Sequence, residues 1–140
     1  VFSPLTDKMG GAIWTLISGI GLVATISYTI TTLSPDPAAG AEALQADFTH
    51  FLWGMLAIFL FAGIGNASTF KQMPMIFERR QAGGVIGWVS AIAAFGPFLF
   101  GVALAGMAVS SFLWVLVAFT LFCIGITWVR YARPGAPKPS

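Results

Sequence analysis

The chain has 140 residues, 57% of them hydrophobic and only 9% charged, with 13 Phe and 5 Trp, a load of apolar side chains that a soluble domain of this size could not keep off its surface. It reads as an all-α, polytopic membrane protein. A net charge of +2 is too small to point to nucleic acid, and a single cysteine, Cys123, excludes a disulfide framework and a cysteine-rich metal site.

In chain order, the opening stretch VFSPLTDKMGG starts without an initiator Met and lacks the basic, apolar and small-residue order of a signal peptide. It reads as one piece of a longer polypeptide. Four segments are long and apolar enough to cross a hydrocarbon core, which needs about 20 helical residues: 11–32, 51–73, 84–106 and 110–131. Residues 1–131 are thus expected to form one four-span transmembrane unit, and the Pro-rich polar tail 132–140, ending RPGAPKPS, a disordered extension.

Charge fixes an expected orientation. All seven basic residues lie before the first span (Lys8), at or beyond the end of the second (Lys71, Arg79, Arg80) or at or beyond the end of the fourth (Arg130, Arg133, Lys138). Residues 33–49 carry Asp36, Glu42 and Asp47 and no Lys or Arg. By the positive-inside rule both termini face the cytoplasm.

The first span holds Trp14, Ser18, Gly19, Gly21, Thr25, Ser27, Tyr28 and Thr29 and nothing ionisable. Its hydroxyls can bond to their own helix, and the span is expected to be mostly peripheral. In the loop that follows, Pro35, Pro37 and Gly40 imply an irregular excursion, with a short surface helix over 41–48. His50 and Trp53 read as interface anchors. With no second His in the chain, a haem or metal centre is not expected, and no cofactor is implied.

The second span carries the run GIGNASTFKQMPMIF, residues 63–77, where small and polar residues interrupt apolar sequence. Such groups at membrane depth are expected only where they line a cavity or meet another helix. At helical spacing Gly63, Asn66, Ala67 and Phe70 share one face, Gly65 adds a further close-approach position, and Asn66 offers both donor and acceptor. Interhelical adhesion and a substrate path are both open readings of this face. Pro74 should weaken the last turn, and Lys71 can snorkel to the headgroups.

In the third span Gly83, Gly87 and Ala91 recur every four residues, a stripe that lets another backbone come close. Ser90 is its mid-span hydroxyl, and Pro97 should kink it. The fourth span, with Phe112, Trp114, Phe119, Phe122 and Trp128, looks lipid-facing, and Cys123 within it reads as a small core residue.

Taken together, GIGNASTFKQMPMIF followed by GGVIGWVSAIAAFGPFLFG resembles a pair of stretches in the nitrate/nitrite porter (NarK) family of the major facilitator superfamily, the second being similar to that family's Gly-rich signature. Asp7, Lys8 and Gly10 then resemble the D-[RK]-x-G cytoplasmic loop of the superfamily, although a simple loop with Asp7 near a helix N-terminus explains them as well. The resemblance implies the last four of twelve spans of a secondary transporter in the inner membrane. It implies Asn66, Phe70, Ser90 and Gly87 as substrate-contacting positions, while small-residue spacing and the proline break mark Gly63, Gly65, Ala67, Gly83, Ala91 and Pro97 for packing and gating. Asn66 stands where some members carry Ser, and Lys71 where members vary between basic and amide residues.

The implied partners are nitrate or nitrite, the lipid bilayer and the remaining spans of the same transporter. The family's two substrate-binding arginines belong to those other spans, and no Arg lies between residues 81 and 129. A transporter of another small solute and a small structural membrane subunit remain as alternatives. No His, Cys or carboxylate cluster implies an enzyme.

Overall fold

Lipid offers no hydrogen-bond partners, so an apolar chain that crosses it must pair its backbone internally, and a continuous helix does so residue by residue. The computed structural model describes the backbone of residues 11–33 and 41–136, together with their side chains except at 41–44 and 46. The chain forms α1 (Gly11–Thr31), α2 (Ala41–Ile76), α3 (Arg79–Ala94), α4 (Gly96–Gly106) and α5 (Val109–Thr127), the last running into a π-helical turn, Trp128–Ala132. Among the described residues there is no strand. Taken as membrane-length units, α1, Asp47–Ile76, α3 with α4, and Val109–Ala132 give four helices long and apolar enough to span a bilayer. The protein is an all-α integral membrane protein.

The second helix starts ten residues before the expected span. Its first turns, Ala41–Phe48, are expected from sequence as a short surface helix and instead continue into the apolar stretch, because no Pro or Gly separates the two. Pro74 is also absorbed: α2 runs on to Ile76, and the Phe77 N–H still donates to the Met73 carbonyl at 3.0 Å. Pro97 behaves differently. With Gly96 beside it and no N–H of its own, it divides the third span into α3 and α4. Phe95 at the joint keeps a helical φ of −78° and ψ of −13°. The remaining links, 77–78 and 107–108, are tight. Glu78 and Ala108 adopt extended backbone (ψ 146° and 144°) and begin the next helix without a side-chain cap.

The packing centre is α1, which lies against both α2 and α5. Gly11, Ala12, Ser18, Gly19, Ile26 and Thr29 are its buried residues, and Ile26 joins Leu113 and Val117 of α5 in the apolar core. The expectation of a peripheral first span is therefore overturned. Lipid tails are as apolar as Leu, so helices associate in a membrane where small residues let backbones approach, and α1 presents such residues to two neighbours. A Cβ at Gly19 would stand 2.7 Å from Ile124, and one at Gly21 would enter the Phe61 ring. The fourth span is mixed: Phe112, Leu113 and Val117 are buried, whereas Trp114, Phe119 and Phe122 are exposed. The third span contributes least, and none of its most apolar stretch is buried.

Candidate functional site

Residues 63–72 divide into two nearly opposite faces of α2, since a helix turns about 100° per residue. One face, Gly65, Ser68 and Gln72, meets α1. Ser68 and Gln72 are buried at 2% and 6% exposure, and Cβ atoms placed at Gly65 and Gly11 would stand 2.8 Å from Ser18 Oγ and 2.6 Å from Gln72 Cγ. Thr15 Oγ1 and Ser68 Oγ lie 2.9 Å apart, and each also reaches a carbonyl of its own helix, Gly11 at 3.0 Å and Gly65 at 2.9 Å. Two hydroxyl protons serve these three contacts, so a hydroxyl that donates across the seam releases the carbonyl of its own helix, and the bond across the seam alternates with the bonds within the helices. Further along the seam, Thr29 is fully buried and occupies the space a Cβ at Gly54 would need.

The opposite face carries Gly63, Asn66 and Ala67, all exposed, with Phe70 half-buried beside them. A Cβ at Gly63 would meet nothing within 4 Å. Asn66 can therefore present its amide away from the α1 seam, and adhesion to α1 is the work of Gly65, Ser68 and Gln72. A cavity of about 190 Å³ lies between α1, α2 and α5, lined in part by Thr15, Ser18, Thr69, Thr120 and Cys123. Its hydroxyls are occupied with carbonyls of their own helices, Thr69 with Gly65 and Thr120 with Leu116, both at 2.8 Å. Cys123, expected in the core, is exposed at the rim of this space.

On the third span Gly83, Gly87, Ser90 and Ala91 share one face of α3. All four are exposed, and Cβ atoms at Gly83 and Gly87 would meet nothing within 4 Å. The stripe expected to draw this helix against α2 faces open space instead. The joint cavity of Asn66, Phe70 and Ser90 is consequently not closed within these four spans, because α3 packs too thinly on α2 to bring them together. Pro97 is exposed at the α3–α4 joint. Asp7, Lys8 and Gly10, like Pro35, Pro37 and Gly40 and the tail beyond residue 136, lie outside the described residues. The seam residues Ser18, Thr29 and Gly54 were not singled out as a contact from sequence. The recurrence of Gly11, Thr15, Ser18 and Gly19 at three- and four-residue intervals was the available signal.

Comparison with characterised proteins gives the chain its relatives. It is 45% identical over 144 positions to the probable nitrate/nitrite antiporter NarK2 of Thermus thermophilus, covering 99% of the chain and 31% of that protein. It is 30% identical to the nitrate/nitrite transporter NarU of Salmonella typhimurium and 29% identical to NarU of Escherichia coli, covering 92% of the chain and 32% of each of those proteins. These relatives are named as transporters or antiporters, not as enzymes. The chain spans about a third of the length of the curated relatives it matches. No family model matches it, and no solved structure does. With its apolar helices and its GIGNASTF and GGVIGWVSAIAAFGP runs, the chain is a relative of the nitrate/nitrite porter (NarK) family of the major facilitator superfamily and carries a four-helix portion of that architecture.

Proposed function

We propose that this chain supplies the last four spans of a secondary transporter that moves nitrate and/or nitrite across the inner membrane by alternating access. The observation that carries the reading is the 45% identity, over nearly the whole chain, to a probable nitrate/nitrite antiporter. The split in α2 supports it physically. Asn66 and Phe70, on the face turned away from α1, are the proposed contacts of the second span with the anion path. Ser90 and Gly87 are those of the third, and the two open faces await other helices of the same protein.

A small planar anion sheds much of its hydration on entering such a path, and bidentate guanidinium donors are suited to replace it. The chain has no Arg between residues 81 and 129 and none before Arg79, so these four spans provide neutral contacts and moving surfaces while the cationic donors come from elsewhere in the transporter. Pro97 fits this arrangement, since a helix divided by proline can bend as the surfaces rock.

Flux of nitrate and nitrite into proteoliposomes, measured with the full-length protein and with this chain alone, tests the proposal. Saturable flux is expected for the full-length protein and none above empty vesicles for the four spans. Flux by the four spans alone, or a full-length protein that carries another solute and is not competed by nitrate, would refute it. The proposed orientation, with both termini cytoplasmic, is checked by labelling Asp36→Cys and Gln81→Cys, which should react from opposite sides.

A further inference from the structure

The basic end of the fourth span carries a surface feature the transport reading does not use. Phe122, Gly125, Ile126, Val129 and Arg130 line a groove of about 470 Å³ on one face of α5 and its π-helical extension. Their three- and four-residue spacing makes the groove continuous over about 12 Å of helix. Gly125 forms its floor, where a Cβ would meet nothing within 4 Å, and Phe122, Ile126 and Val129 are exposed along it. Arg130 closes one end, with Arg133 exposed one turn beyond and Trp128 and Tyr131 marking headgroup depth. No Asp or Glu follows Glu78 in the chain, so neither arginine has an acidic partner on its own span.

An apolar trough ending in a cation at the headgroup level has the chemistry of one partner. We propose that this groove is a binding site for an anionic phospholipid, its phosphodiester on Arg130 with Arg133 nearby and an acyl chain along Phe122, Gly125, Ile126 and Val129. A transmembrane helix is a poorer occupant, because it would cover Arg130 and leave an uncompensated charge. The groove on the third span, lined by Gly84, Gly87, Trp88, Ala91, Ile92 and Phe95, holds about 390 Å³ and no charge. That one suits a helix.

The test is native mass spectrometry of the full-length protein released from bilayers of equimolar phosphatidylglycerol and phosphatidylcholine, with thermal stability measured in parallel. Arg130→Gln should lower retained phosphatidylglycerol relative to phosphatidylcholine about five-fold, the effect of one basic residue at a membrane surface, with unchanged unfolding temperature. Gly125→Leu should lower retained lipid although every charge is kept, Arg80→Gln should leave the ratio alone, and inorganic phosphate should not compete. The proposal is overturned if Arg130→Gln and Gly125→Leu retain lipid as the parent does, if Arg80→Gln acts as strongly as Arg130→Gln, or if Ile126→Cys cross-links to another protein helix.

Discussion

The first and third spans are both built from small and apolar residues, yet one is the packing centre of the molecule and the other is almost bare. In α1, Gly11, Ser18, Gly19 and Thr29 are all buried, and their neighbours Ser68, Gln72 and Ile124 fill the space that larger side chains would take. In α3, Gly83, Gly87 and Ala91 repeat as regularly and face nothing. What separates them is complementarity. Apolar sequence gains nothing by leaving lipid for another helix, so small residues mark where a partner can approach without supplying one.

The largest effect that should sharpen this contrast is steric. Gly21→Leu drives a side chain into Phe61 and should cost about 1–3 kcal/mol of stability, whereas Gly87→Leu in the four-span chain should change it by less than about 0.5 kcal/mol. Thermal unfolding in detergent of the two variants checks the difference, and equal losses would dissolve it. In the full-length transporter Gly87→Leu should instead suppress flux at normal expression. A smaller effect is expected at the α1–α2 seam. Thr15→Val and Ser68→Ala should each cost about 0.6 kcal/mol, and the double variant should cost less than their sum because the two hydroxyls act on each other. Smallest is Pro97→Ala, which restores an N–H for the Ala93 carbonyl at a position where proline is already tolerated, and should move stability by about 0.5 kcal/mol or less.

The four spans were legible from apolar length, because lipid imposes that length on any helix that crosses it. The start of α2 was not, since hydropathy reports where lipid begins and Ala41–His50 is a helix before it gets there. The importance of α1 was hidden by a correct observation. Its hydroxyls do bond to their own helix, as Thr25 does to Gly21 at 2.8 Å and Thr29 to Thr25 at 2.8 Å, but Thr15 satisfies its helix and still touches Ser68. The polar run of α2 was visible as an anomaly, and helical spacing put Gly63, Asn66, Ala67 and Phe70 on one face. Which face meets α1 depends on the partner helix, which no periodicity within α2 contains.

The central claim is that α2 has a structural face at Gly65, Ser68 and Gln72 and a transport face at Asn66 and Phe70. Its most direct test is paired measurement of nitrate flux and thermal stability for Asn66→Ala and Ser68→Ala in the full-length transporter. Asn66→Ala should weaken nitrate handling by about 1–2 kcal/mol, the loss of one desolvated polar contact, with unfolding unchanged, while Ser68→Ala should lower stability and keep flux per folded molecule. Flux in Asn66→Ala that falls only as far as the folded fraction falls would contradict the claim.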